Sequence, residues 1–303
     1  MKRTTVAVLT AATVLTAAAC GSPDGSAPTK TADVVATTNV WGSVAGAIAG
    51  QHATVKSILT SPVDDPHSYE ATPADAAAIS DAALVVYNGG GYDHWADDIL
   101  AGHKNVTTVN AYSLLPAAAP GAEPANEHVF YDMDVAKAAA GKIADDLAKA
   151  DPANAGSYQA NAADFGKQTD AIAATERAIG QRHPGLSVVA TEPVAHYLLA
   201  TAGIADATPH GFAEASEAGH DPSPADLAAV LDLINGHKVA ALVLNKQTET
   251  AVTKQLRDAA GKASLPVVEV TETLPAGVDY LTWQRQTAEA FSHQLDNAPA
   301  PAR

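Results

Sequence analysis

The chain has 303 residues, of which 47% are hydrophobic and 17% charged, enough to build two cores of about 100–150 residues each rather than one. Its 34 acidic residues outweigh 18 Lys and Arg for a formal charge of −16, which argues against nucleic acid or an anionic lipid surface as partner. A single cysteine, Cys20, excludes an intrachain disulfide.

Residues 1–19 read as a signal peptide. Lys2 and Arg3 form a basic start, and residues 6–15 an apolar run too short to span a bilayer as a stable helix. Ala17, Ala18 and Ala19 then supply small residues before Cys20, a pattern that resembles the lipobox of bacterial lipoproteins, with Ala17 where leucine usually stands. The resemblance implies an acylated Cys20 as the mature N-terminus; a plain secretory signal with an incidental cysteine is the alternative. Residues 20–32 are then the anchor and a Gly/Ser/Pro-rich flexible tether. Loss of Lys2 and Arg3 takes the charge from −16 to −18, a balance that suits cations but selects none.

The body opens with a β-rich run at 33–40 and a helix-compatible stretch at 41–50, followed by a strand at 54–59. The segment Val63 to Glu70 then places His67 behind Pro66 and among the carboxylates of Asp64, Asp65 and Glu70. Proline fixes its own φ and keeps the preceding residue extended, so His67 is expected on a stiffened loop. Thr72 and Pro73 read as the N-cap and first position of a helix to about residue 80. A continuous apolar run at 83–87 predicts a buried parallel strand, closed by a turn at Gly89, Gly90 and Gly91. A helix over 92–100, a strand at 106–109, a Pro/Ala-rich loop at 116–127 and a helix over 134–149 complete an N-terminal α/β lobe, residues 33–152.

Between residues 153 and 182 there is no proline, and Tyr158, Phe165, Ile172 and Ile179 recur every seven residues. That spacing keeps one stripe on one helix face. Thirty helical residues would span about 45 Å, a connecting rod rather than a crossover, although Gly156, Gly166 and Gly180 lower its propensity. Two shorter helices broken near Gly166 are the alternative. Alternation then resumes in a C-terminal lobe, residues 184–296. Strands are expected at 186–191, 239–244 and 266–271, and helices over 193–202, 222–235, 250–262 and 281–295. Residues 210–220 read as a polar, mobile loop and 297–303 as a disordered tail.

Four candidate metal ligands share a setting. His67 follows a strand, His128 enters a helix, and Glu192 and Glu272 end strands, where open α/β sheets bind ligands. Two imidazoles and two carboxylates suit a divalent ion such as Zn²⁺ or Mn²⁺ and cancel its charge. His196 is read as solvent-facing. His210 and His220, with Glu214 and Glu217, fall in the expected loop, where pre-capture of metal is the less favoured reading.

The run Asp65-Pro66-His67-Ser68-Tyr69-Glu70, continuing through Thr72, Pro73 and Asp75, and then Leu84 to Gly89, closely resembles the metal-binding lipoproteins of zinc/manganese ABC importers. The resemblance implies two α/β lobes bridged by one long helix, with a single ion between them. It also implies the ligand set. His67 matches the first family histidine, and His128 the second, within a His-Val-Trp-x-Asp-Pro-like segment that here carries Phe130 and Met133. Glu192 stands five residues before Tyr197, as the third ligand does, and Glu272 replaces the family's aspartate. For that fourth position Asp279 or water remains open. The histidine-rich loop of many zinc-binding members is absent from 116–127. The implied partners are a permease and its ATPase subunit, the implied place the outer face of the cytoplasmic membrane, and the expected state a monomer. A metal-dependent hydrolase using the same two histidines and two carboxylates is the competing reading. Four protein ligands leave no evident open position or general base for it.

Overall fold

The computed structural model describes residues 32–61, 65–117, 119 and 125–298. The expected signal peptide, Cys20, most of the tether and the end of the tail lie outside these residues. The first sheet is built from β1 (Ala32–Thr38), β2 (Ala53–Leu59), β3 (Leu84–Tyr87) and β4 (Thr108–Asn110), all parallel, in the order β2-β1-β3-β4. Parallel neighbours need crossovers. Between these strands lie α1 (Asn39–Ala49), α2 (Pro73–Asp81) and α3 (His94–Gly102), and α4 (Met133–Ala150) follows β4. Every residue of β3 is buried, as its uninterrupted apolar sequence requires. Thr72 caps α2 with Pro73 in its first turn, and Asp75 returns the bond in a capping box.

The second sheet repeats the topology. Its strands β5 (Ser187–Ala190), β6 (Ala205–Asp206), β7 (Leu242–Asn245) and β8 (Val267–Val270) are parallel in the order β6-β5-β7-β8. Its helices are α6 (His196–Ala202), α7 (His210–Glu217), α8 (Pro224–Asn235), α9 (Ala251–Lys262) and α10 (Tyr280–Asp296). In both sheets the first strand in sequence lies inside the second, so the crossovers diverge and leave a crevice at the carboxyl ends of the inner strands.

Between the sheets runs α5 (Ala155–Arg182), 28 residues without a break at Gly166. Tyr158, Phe165, Ile172 and Ile179 are all buried along it, as their spacing predicts. It packs on α1 and α4 of the first lobe and on α6 and α10 of the second. Gly180 is explained by packing, since a Cβ there would fall 1.6 Å from the carbonyl oxygen of Ala202. The lobes are joined by more than α5. One hydrophobic cluster runs from Val34 through Ile172 to Val268 and Trp283. Asn39 and the backbone of Leu274 exchange two hydrogen bonds across the joint, and the Tyr280 hydroxyl of α10 donates to the Phe130 carbonyl at 2.6 Å.

Residues 210–220 depart from the expected loop. Most of them form α7, a two-turn helix pinned by the fully buried Phe212 and ended by Gly219 at φ +68°. The two-residue β6 was also not foreseen; both its residues are exposed, so no apolar pattern marks it. Among the described residues no helix is long and apolar enough to cross a membrane.

Candidate metal-binding site

At the carboxyl ends of the two sheets lies a cleft of about 320 Å³ that all four predicted residues line. His67 stands on the loop after β2, and its backbone N–H and Nδ1 both meet Asp65 Oδ1, at 2.9 and 3.0 Å. The Asp-Pro-His order thus makes a short carboxylate–imidazole unit that fixes the ring. His67 Nε2 faces Glu127 Oε1 at 2.7 Å. His128 precedes a 3₁₀ turn, Val129–Tyr131, that leads into α4, and it is buried. Its Nδ1 is held by Asn126 Oδ1 at 3.1 Å, leaving Nε2 to face the cleft.

From the second lobe comes Glu272, 3% exposed, just past the end of β8. Its Oε1 accepts from Asn245 Nδ2 at 2.7 Å. Its Oε2 is buried with no hydrogen-bond partner among the described residues, 3.7 Å from His67 Nδ1 and 3.7 Å from His128 Nε2. Donors about 2.1 Å from a common ion stand roughly 3.0–3.4 Å apart. Among the described residues, the sets whose ligand atoms all lie within 4.8 Å of one another are His67 with Glu127 and His128, and His67 with Asp65 and Glu272. Glu192 enters the same cleft after β5 but makes no described contact with either imidazole. Its carboxylate accepts from Asn245 Nδ2 and from the Thr248 hydroxyl. One amide therefore holds both second-lobe carboxylates.

Charge explains the remaining balance. Burial works against a charged His67, yet the bonds to Asp65 and Glu127 and the negative field of Glu272 outweigh it and raise the imidazole to about 10. Burial also pushes Glu272 up, but the adjacent His128 and His67 prevail and hold it below the usual carboxylate range. Glu192 is raised, chiefly by burial, against the bonds from Thr248 and Asn245. A site so rich in carboxylates and protonatable nitrogens exchanges protons for a bound cation.

Tyr92, fully buried at the start of the turn into α3, lies under both imidazoles with ring centroids 4.7 Å from His67 and 5.9 Å from His128. Its hydroxyl donates to the Glu272 carbonyl at 3.3 Å, so one side chain touches three of the candidate ligands. Asp279, the alternative fourth ligand, instead caps α10, accepting from the backbone and hydroxyl of Thr282 at 2.9 and 2.8 Å. His196 is exposed, as expected. The expected loop residues divide: His210 pairs with Glu214 on the outer face of α7 at 3.2 Å, while Glu217 and His220 line the cleft. Sequence reasoning missed Glu127, Asn245 and Tyr92. Asn245 carried a signal, since it ends an apolar strand as Glu192 and Glu272 nearly do, and Glu127 carried one as the residue before His128.

Residues 34–294 match the family described as zinc-uptake complex component A, periplasmic (ZnuA). The chain belongs to this family. The ZnuA-family chain is 30% identical over 169 residues to the manganese-binding lipoprotein MntA of Halalkalibacterium halodurans, covering 54% of this chain and 55% of that protein. It is 26% identical over 258 residues to the iron-binding protein YfeA of Yersinia pestis, covering 82% and 80%. The chain thus spans about half the length of the first of these relatives. Among solved structures it resembles the substrate-binding protein FpvC of Pseudomonas aeruginosa in complex with Mn²⁺, at a TM-score of 0.74 and 21% identity over 88% of this chain and 99% of that one. That likeness carries the fold of two α/β lobes with a long bridging helix. The family's description and its members' names are those of metal-binding uptake proteins rather than enzymes, and the resemblance drawn from the sequence holds.

Proposed function

We propose that this ZnuA-family chain is an extracytoplasmic, lipid-anchored receptor that captures one divalent transition-metal ion, Zn²⁺ or Mn²⁺, and hands it to an ABC permease and its ATPase. His67 and His128 from the lobe at 33–152 and Glu192 and Glu272 from the lobe at 184–296 are its ligands, with the helix at 153–183 between the lobes. The observation that carries the reading is Glu272 Oε2, a buried carboxylate oxygen with no hydrogen-bond partner among the described residues, 3.7 Å from a nitrogen of each histidine. A buried carboxylate oxygen without a hydrogen bond is costly, and a bound cation would remove that cost. The names of MntA and YfeA, manganese-binding and iron-binding, support a divalent cation as cargo. The anchor rests on the Ala-Ala-Ala-Cys pattern at 17–20 and on the relative's being a lipoprotein.

The test is metal content followed by titration. Protein purified without added metal is analysed for elements, stripped with a chelator, and titrated with Zn²⁺ and Mn²⁺ against a chelating dye. One ion per chain, lost in His67→Ala and His128→Ala, is expected; failure to bind any divalent ion above buffer level refutes the reading. Cys20→Ser should move the protein from membranes to the soluble fraction, because acyl chains supply the anchor.

A further inference from the structure

Glu127 has no part in the ligand set above, yet among the described residues it makes the shortest contact to His67, 2.7 Å. We infer that Glu127 is a fifth ligand whose added oxygen sets the site's preference toward a hard, high-coordination ion such as Mn²⁺ over Zn²⁺. This rests on the reading of His67 and His128 as ligands and adds to it.

The geometry begins with the two nitrogens of His67. Asp65 Oδ1 accepts from the His67 backbone at 2.9 Å and meets Nδ1 at 3.0 Å, within a single tight loop. Ligating histidines commonly give their other nitrogen to such a carboxylate, which marks Nε2 as the nitrogen left for an ion. Glu127 Oε1 already lies 2.7 Å from Nε2. Two donors about 2.1 Å from one ion stand roughly 3.0 Å apart at right angles, so an ion on Nε2 meets this carboxylate with little movement. The ligand atoms of His67, Glu127 and His128 all lie within 4.8 Å of one another. Glu272, 3% exposed, approaches this group through His128 Nε2, 3.7 Å from its Oε2.

The chemistry of the enlarged set follows. Two nitrogens and three carboxylates offer more than four donors, most of them oxygen. Zn²⁺ is satisfied by four ligands in a tetrahedron, whereas Mn²⁺ takes carboxylate oxygens in octahedral surroundings. Three carboxylates also exceed the charge of a divalent ion, which costs least for an ion that spreads its bonds over many oxygens. Glu127 is well placed to act without being part of the core: it sits on the loop before His128, and Asn88 Nδ2 holds its carbonyl at 2.8 Å.

The experiment measures Mn²⁺ and Zn²⁺ affinities by dye competition for the full chain and for Glu127→Gln, Glu127→Ala and His67→Ala, with Glu249→Gln as a surface control. Thermal melts in chelator confirm that each variant is folded. Both Glu127 variants should weaken Mn²⁺ by at least about tenfold and Zn²⁺ by less than about threefold. Equal weakening of the two ions would make Glu127 a positioning or field residue and overturn the inference, as would no weakening of either. If His67→Ala still binds both ions at parental strength, the ligand site itself is misplaced and both readings fall. Loss of binding there with an unchanged Mn²⁺/Zn²⁺ ratio in the Glu127 variants sinks only this one.

Discussion

Glu272 shows how one side chain answers two demands. Its Oε1 is satisfied by Asn245, while Oε2 stays unbonded between the imidazoles. The position is fixed from behind as well, because the Gln247 side chain accepts from the backbone N–H of both Glu272 and Thr273. Glu272→Gln keeps the size but removes the charge, so metal affinity is expected to fall by more than tenfold, which is about 1.4 kcal/mol. Glu272→Asp should cost less, since the charge survives and the lobes can close slightly. Glu249, exposed on the loop before α9, is the control whose loss leaves affinity unchanged. Dye competition at fixed pH reads all three, and parental affinity in Glu272→Gln would remove this residue from the ligand set. At this scale His67 was legible because its reason is local: a proline before it and a carboxylate two residues back. Tyr92 was not, since it reaches the site only because distant strands end side by side. Glu127 adjoins His128 in sequence, but read as the end of a polar loop it carried no sign of facing His67.

Whole elements were more legible than the contacts between them. The stripe at 158, 165, 172 and 179 predicted a long helix with one buried face, and α5 is that helix. Its glycines, which count against a helix by propensity, look different once packed. At Gly180 the backbone of Ala202 occupies the space of a side chain, so α6 approaches α5 as closely as it does because no Cβ intervenes. Gly141, in the middle of α4, has nothing within 4 Å of a built Cβ. The pair makes a matched prediction. Gly141→Ala should stabilise the protein by about 0.5–1 kcal/mol through helix propensity alone. Gly180→Ala gains the same propensity but must push α6 away, and should destabilise by about 1–3 kcal/mol net. Urea midpoints of the two variants against the parent check it, and a stabilised Gly180→Ala would mean that α6 yields freely. The polar stretch that became α7 was misread for a related reason. One buried side chain, Phe212, anchors it, and a single apolar residue leaves no period to detect.

Across the whole molecule the two lobes share one core, so groups in the joint influence the stability of everything. Metal is one such influence. An ion held by both lobes binds only the folded chain, and at a hundred times its Kd it adds about 2.7 kcal/mol. Chelation should therefore lower the melting temperature by several degrees and Mn²⁺ or Zn²⁺ restore it; an unmoved melt with both ions would exclude a bridging site. The other influence is Glu176, on the buried face of α5, fully buried with neither carboxylate oxygen hydrogen-bonded among the described residues. Burial, with the charge of Asp132 added and that of Arg177 opposing, raises its carboxyl from about 4.5 to about 8. Between those two values the folded chain keeps a proton that the unfolded chain has lost. Stability must then fall as pH rises through that window, by up to about 5 kcal/mol once pH exceeds 8. Glu176→Gln retains the neutral form at every pH. It should match the parent near pH 4.5 and become progressively more stable than it toward pH 8.5. Urea unfolding of both proteins at several pH values, in chelator to remove the proton exchange of metal binding, isolates the effect. The raised His67 also loses stability with rising pH but does so in both proteins and cancels from the difference. Parallel pH curves for parent and variant would mean that Glu176 ionises in the folded state as readily as in water, and that the joint between the lobes admits solvent.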